Sequence, residues 1–139
     1  FVHLRPTCPF RKLSTLNKSI KRFQKVKKKC SSLRTVSEMS NTAFRYCRIE
    51  KNLLCAIPKK DFALDKWMRP RQFFPKTYIC NCVIDIYKTK NILKNKLFGN
   101  KVMPVLIKDY FCDIDSIEDF KKAQNFLKMN KKDALKHYY

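Results

Sequence analysis

Residues 112–120 read CDIDSIEDF, and this stretch predicts a strand that passes directly into a helix. The β-forming residues at 110–113 favour the strand, while Ser116 and Asp119 form the S-x-x-D pattern that is typical of a helix N-terminus. Asp113 and Asp115 are two residues apart, so on an extended chain both carboxylates point to one face. Two oxygen ligands at the carboxyl end of a strand suit Mg²⁺ that holds a polyphosphate.

Strands and helices alternate on both sides of this stretch. Tyr78–Tyr87 is rich in β-branched and aromatic residues and predicts a long central strand. Shorter strands are predicted at residues 1–5, 33–36, 44–49 and 102–107, and helices at 14–29, 89–93 and 117–129. Ser14 is the predicted N-cap of the first helix, and a turn is predicted at 50–52. The alternation favours an α/β layer structure.

The net charge of +21 invites a nucleic-acid interpretation. The lysines are scattered through every segment rather than gathered in one stripe, apart from those at residues 25–29. Abundant Lys, Asn and Ile with a single glycine are what an A/T-rich coding sequence would produce. Nucleotides and acidic sugars fit the charge equally well, so we favour an anionic small ligand over nucleic acid as the partner.

Two further classes of protein are disfavoured by composition. No stretch approaches the ~18 consecutive apolar residues of a membrane span, and no charged-then-apolar leader is present. The seven cysteines form no C-x-x-C pair and have no histidine placed to complete a zinc site. We therefore expect free thiols and a cytoplasmic location, with pairing between distant cysteines left open.

Four sequence blocks stand in an order that is characteristic of one enzyme family. Residues 3–11 read HLRPTCPFR, and residues 33–39 read LRTVSEM. Residues 69–82 carry the pattern R-Q-x-x-P-x-x-Y-x-x-N, and residues 98–119 carry F-G followed by D-I-D-S-x-x-D. Together these blocks resemble the carboxyl-terminal two-thirds of the acylneuraminate cytidylyltransferases, which are the CMP-sialic acid synthetases and their relatives for other nonulosonic acids.

The resemblance implies both a fold and a reaction. The fold would be part of a Rossmann-like nucleotidyltransferase sheet with helices on both faces, and the active protein would be a homodimer. The reaction would join CTP to an acidic nine-carbon sugar and release pyrophosphate, with Mg²⁺ as cofactor. Residues 1–139 would form the carboxyl-terminal portion of a single domain. Within it, about 35–76 would serve dimerisation, with an arm at 58–76, and 130–139 would be a basic tail that frays.

The resemblance also implies the site residues. Three would be catalytic, of which the two aspartates would bind Mg²⁺ and the arginine would pair with an anion: Asp113, Asp115 and Arg71. Six would bind the substrate, with the last two as an apolar wall: Arg5, Gln72, Tyr78, Asn81, Leu97 and Phe98. Each has a structural alternative when taken alone: the aspartates as a solvated strand end and helix cap, Arg71 in a surface ion pair, Tyr78 in the core, and Phe98 as a turn anchor.

Departures from the family pattern lead to the remaining expectations. Cys8 stands at a hydroxyl position of the first block, and Cys82 stands where the family has the glycine after Asn81. The family's glycine-rich phosphate-binding loop is missing, since the only glycine is Gly99, where a turn with positive φ is expected. We therefore expect a fragment that is inactive alone. The alternatives are a non-catalytic dimerisation or binding module and a basic nucleic-acid-binding protein.

Overall fold

Helices and strands alternate in the computed structural model, which describes residues 1–57, 65 and 68–138. In chain order the elements are β1 (Val2–His3), α1 (Leu13–Val26), β2 (Ser32–Glu38), β3 (Cys47–Glu50), β4 (Leu53–Ala56), β5 (Tyr78–Tyr87), α2 (Thr89–Ile92), β6 (Val102–Leu106), α3 (Ile117–Met129) and α4 (Lys131–His137). The chain divides into two compact units, one of Phe1–Ser37 with Cys80–Tyr139 and one of Glu38–Ile79. In the part of the chain that the structure describes, no helix is both long and apolar enough to span a membrane.

A four-stranded mixed sheet forms in the order β1–β5–β2–β6. Strand β1 pairs antiparallel with β5, and β2 pairs parallel with β6. Asn81 bonds to Ser37 while Ile84 bonds to Thr35, so the partner number falls as β5 advances and these two strands run antiparallel. The predicted α/β class and the predicted long strand at Tyr78–Tyr87 are confirmed.

The core of the first unit lies between this sheet and helix α1. Leu33 and Ile84 are fully buried in it. Leu16, Ile20 and Phe23 recur every three or four residues along α1 and pack against this cluster. This spacing places them on one face of the helix, as the sequence predicted.

The predicted N-cap of α1 is wrong. The helix begins at Leu13, its N-cap is Lys12, and no side chain caps it. The Lys12 carbonyl accepts from the backbone N–H groups of Thr15 and Leu16, so the helix begins two residues before a cap at Ser14 would place it. Ser14 is therefore an exposed residue of the first helical turn.

Two predicted strands differ from the structure. Residues 110–113 form no strand, because the chain runs beside the turn after β1 instead, where the Ile114 N–H donates to the Thr7 carbonyl over 2.8 Å. Residues 44–49 divide into a 3₁₀ turn at Ala43–Arg45 and strand β3. The Thr42 hydroxyl caps that turn.

The second unit contains the β3–β4 hairpin. Lys51 and Asn52 have φ of 51° and 63°, as a two-residue hairpin turn of type I′ requires, which confirms the turn predicted there. Residues 58–64, 66 and 67 of the predicted arm lie outside the described residues. Its described part includes a 3₁₀ turn at Arg71–Phe73 and the ring of Phe74, which stacks on Phe44.

The carboxyl-terminal tail was expected to fray, but in the structure it is ordered as a helix. Helix α4 spans Lys131–His137, and the ring of Tyr138 after it meets Phe10 and Phe126 edge-on. Phe126 in turn stacks on Tyr110 with ring centroids 3.7 Å apart. These aromatic contacts hold the end of the chain against the first unit.

Candidate functional site

Segments that are distant in sequence meet at β5 in the first unit. The thiol of Cys8 lies 3.7 Å from the carbonyl oxygen of Asn81, to which it donates. The backbone of Ile114 bonds to Thr7, one residue before that cysteine. Parts of the first, third and fourth sequence blocks therefore lie side by side.

A buried carboxylate lies in the middle of β5. Asp85 is 2% exposed, and Arg34 Nε lies 3.1 Å from its Oδ1, an ion-pair distance at which the two atoms are not aligned as a hydrogen bond. Arg5 Nη2 lies 3.9 Å from the other oxygen, Oδ2. The hydroxyl of Tyr87 donates to that same Oδ2 over 3.2 Å. Two guanidinium groups therefore share one carboxylate.

Aromatic rings line this buried charge cluster. The guanidinium of Arg34 lies 4.7 Å from the centroid of the Phe98 ring, a cation–π contact. The Phe98 ring also meets the Tyr87 ring edge-on, with the ring centroids 5.2 Å apart, and the centroid of the His3 ring lies 6.0 Å from that of Tyr87. Phe98 thus contacts the same cluster as Arg5, its partner in the predicted substrate set.

The turn that presents Phe98 requires the glycine that follows it. Gly99 has a φ of 67°, and a Cβ there would lie 2.7 Å from Ser31 Cβ. The hydroxyls of Ser31 and Ser32 both donate to the Phe98 carbonyl, at 2.7 and 2.6 Å. The expected positive φ at Gly99 is confirmed, and Leu97 beside this turn is exposed.

The electrostatics of the cluster show most clearly in Tyr87. Burial, with a further contribution from the adjacent Asp85 carboxylate, raises the pKa of Tyr87 to about 12. The phenol therefore stays protonated and remains a donor to Asp85 throughout the neutral range.

Asn81 is held inside the first unit. It is 1% exposed, its Nδ2 donates to Ser37 Oγ over 2.9 Å, and its Oδ1 accepts from the Val83 N–H. The next residue, Cys82, has a φ of 58°, which is the left-handed conformation that favours glycine. Asn81 thus fixes the shape of a bend in β5.

The two predicted metal ligands differ in exposure. Asp113 is half-buried, and its Oδ1 is a buried atom with no hydrogen-bond partner, whereas Asp115 is exposed. The pKa of the Cys82 thiol is raised mainly by burial, and a hydrogen bond to Asp113 raises it further. An orphaned carboxylate oxygen is a suitable ligand for a hard cation.

No group of three or more His, Cys, Asp or Glu side chains is gathered for a metal among the described residues. Mg²⁺ does not need such a group, because one or two carboxylates with waters and substrate phosphates usually complete its coordination. The orphaned Oδ1 of Asp113 is therefore a candidate Mg²⁺ ligand. Residues 113–115 form no strand, so the single face expected for the Asp113 and Asp115 carboxylates does not follow.

The remaining predicted site residues belong to the second unit. Arg71 opens a 3₁₀ turn, and its Nη1 donates to the Ser40 carbonyl over 2.9 Å. Within the described ranges, Arg71 forms no ion pair with a carboxylate. Gln72 and Tyr78 are exposed.

Sequence reasoning missed the centre of the charge cluster. Asp85, Arg34 and Tyr87 were not predicted as functional residues. The signal was a single charged residue in the middle of each apolar strand, in VIDIY at 83–87 and in SLRTV at 32–36. A lone charge in a buried strand requires a partner, and each of these two supplies one to the other.

Two comparisons of the sequence with known proteins identify no relative. No protein-family model matches the sequence. A search of curated proteins gives no significant match either.

Proposed function

We propose that this chain is the sugar-binding and metal-binding part of a cytidylyltransferase that activates a nonulosonic acid with CTP. The observation that carries the proposal is that parts of all four sequence blocks meet within the first unit. Cys8 contacts Asn81, Ile114 contacts Thr7, and Arg34 contacts the ring of Phe98. Blocks of an active site are expected to converge in this way even though they lie far apart in sequence.

Backbone conformation gives a second, independent support. The resembling family has glycine at the position of Cys82 and at that of Gly99. Both positions have positive φ in this chain, at 58° and 67°. The proposal extends to the fold, because the mixed order β1–β5–β2–β6 is compatible with part of a Rossmann-like nucleotidyltransferase sheet.

The proposed reaction is a single in-line displacement. The anomeric hydroxyl oxygen of the sugar attacks the α-phosphorus of CTP, the bond to the bridging oxygen of the β-phosphate breaks, and pyrophosphate leaves. The hydroxyl proton passes to solvent or to a nearby base. The protein contributes chiefly by positioning the reactants and neutralising charge.

Each residue has a proposed role in that positioning. Asp113 and Asp115 would hold Mg²⁺, which when bound neutralises phosphate charge. Arg71 would pair with an anionic group of the substrate. The sugar would be bound by Arg5, Gln72, Tyr78, Leu97 and Phe98. Asn81, whose amide is buried and bonded within the first unit, would shape the pocket. The same proposal includes a cytoplasmic homodimer.

The test is pyrophosphate release with CTP, Mg²⁺ and a panel of nonulosonic acids. We expect none from this chain alone and release from a version extended by the upstream coding sequence. In the extended protein, Asp113→Asn should lower the rate by about a hundredfold or more. The matched control is Glu118→Gln on the exposed face of α3, which should leave the rate unchanged.

A folded extended protein that releases no pyrophosphate with any nonulosonic acid would contradict the proposal. So would an equal loss of rate in the Asp113 and Glu118 variants, because the effect would then not depend on a metal-binding carboxylate.

A further inference from the structure

We propose that Arg5 and Arg34 form an oxyanion site for the carboxylate of the acidic sugar, and that Asp85 is the positioning residue that holds them. This inference rests on the proposed function and deepens it. It adds Arg34 and Asp85 to the site and names the group of the substrate that they recognise.

The charge balance of the cluster favours a bound anion. Asp85 supplies one negative charge, and two guanidinium groups lie at 3.1 and 3.9 Å from its oxygens. Among the described residues no other carboxylate pairs with either arginine. The cluster therefore retains about one positive charge, which suits a monoanion such as a sugar carboxylate better than the multiply charged phosphates of a nucleotide.

The donors of the cluster are not all satisfied. A guanidinium has five N–H donors and no acceptor. Arg5 Nε is a buried atom without a hydrogen-bond partner, and Arg34 Nε is not aligned for a hydrogen bond to Asp85. The two Nε atoms are closed to solvent, so an oxyanion would accept from the exposed Nη groups, which donate no hydrogen bond to another described residue.

The two guanidinium groups are held in place but remain accessible. The side chains of Arg5 and Arg34 are 37% and 21% exposed, whereas Asp85 beneath them is 2% exposed. The Phe98 ring covers the guanidinium of Arg34. The Tyr87 hydroxyl donates to Oδ2 of Asp85, which helps to fix the orientation of the carboxylate towards the arginines. Such preorganisation lowers the cost of binding a planar carboxylate.

The test compares two forms of one sugar by NMR on the ¹⁵N-labelled chain. N-acetylneuraminic acid and its methyl ester differ in the negative charge that the proposed site recognises. We expect the acid to shift the side-chain Nε–H signals of Arg5 and Arg34 and to bind about tenfold more tightly than the ester.

Variants locate that difference in affinity. In Arg5→Gln and in Arg34→Gln the affinities for the acid and the ester should differ by no more than about twofold, because charge-assisted hydrogen bonds are lost. Asp85→Asn should also reduce the ratio of the affinity for the acid to the affinity for the ester, because both guanidinium groups lose the carboxylate that holds them. Arg22→Gln, on the exposed face of α1, is the matched control and should leave the ratio unchanged.

The outcomes separate this inference from the proposed function. If acid and ester bind equally, the oxyanion site is wrong while the sugar-binding proposal stands. If pyrophosphate, and not the sugar acid, shifts the two arginine signals, the ligand assigned here is wrong. An Asp85→Asn variant that is less stable but keeps the full ratio would reduce Asp85 to a structural role. If no sugar binds, this inference is overturned, and pyrophosphate release by the extended protein decides the proposed function separately.

Discussion

Cys82 adopts a backbone conformation that favours glycine, although it carries a side chain. Its φ of 58° costs an L-residue roughly 1–2 kcal/mol relative to glycine. We therefore expect Cys82→Gly to be about 1 kcal/mol more stable than Cys82→Ala, although both variants lose the buried thiol. Urea denaturation of the two variants measures the difference.

The matched control for this prediction is Cys30, a second buried cysteine, whose φ is not positive. There the alanine variant should be the more stable of the two, by roughly 0.4–1 kcal/mol, because glycine loses more chain entropy on folding. The same order at both positions would contradict backbone strain at Cys82.

At the same scale, Tyr87 makes stability depend on alkaline pH. Its pKa is raised to about 12 by burial first and by Asp85 second, whereas the unfolded chain ionises near the ordinary value of 10.0. The unfolded state therefore loses its proton first as pH rises, and stability falls between pH ~10 and ~12, on the order of 2 kcal/mol in all.

Tyr87→Phe cannot ionise, so the stability advantage of the wild-type chain over this variant should shrink across that pH range. The control is Tyr46→Phe at an exposed tyrosine, compared with wild type at the same pH values. Urea denaturation at several pH values gives both differences. A constant wild-type advantage over Tyr87→Phe would show that Asp85 and burial do not hold the phenol neutral.

Among the elements, helix α3 depends on a cap that α1 lacks. Ser116 Oγ accepts from the Asp119 N–H at 3.2 Å and donates to its carboxylate at 2.7 Å. Ser116→Ala should therefore lower the free energy of unfolding by about 1 kcal/mol. Ser14→Ala in the first turn of α1 should change it by less than about 0.5 kcal/mol, since no cap bond is lost. Equal effects in thermal or urea unfolding would contradict this assignment.

The sequence predicted elements where the deciding contacts are local. The cap at Ser116 was predictable because both of its partners lie within four residues, and α1 because its apolar spacing is regular. The predicted strand at 110–113 is absent because its propensity is local, whereas the path of the chain there follows a distant contact, the bond from the adjacent Ile114 to Thr7 about a hundred residues away. The start of α1 was missed for a different reason: Lys12 supplies the first helical carbonyl, and lysine is not a residue type that marks an N-cap.

For the whole molecule, sequence motifs identified candidate residues but not the cluster that joins them. Asp113 and Arg5 stand in motifs, so they could be named from the sequence. Asp85 could not, because its meaning depends on the pairing of β5 with β1 and β2, which brings Arg5 and Arg34 to it. Strand register is a non-local property: one charged residue in an apolar strand signals that it needs a partner, but it does not reveal which residue that partner is.

The net charge of the whole molecule leads to the last prediction. A formal charge of +21 from 32 basic and 11 acidic residues makes the folded state repel itself more strongly than the expanded chain does. Salt screens this repulsion, so raising NaCl from about 0.02 M to about 0.3 M should raise Tm by several degrees. Differential scanning calorimetry measures the shift. As a control, sodium thiocyanate and NaCl compared at one low ionic strength within this range should give the same shift in Tm, because screening depends on charge and not on the kind of anion. A Tm that stays constant in NaCl, or that falls in both salts, would show that the positive charges are too far apart to destabilise the fold.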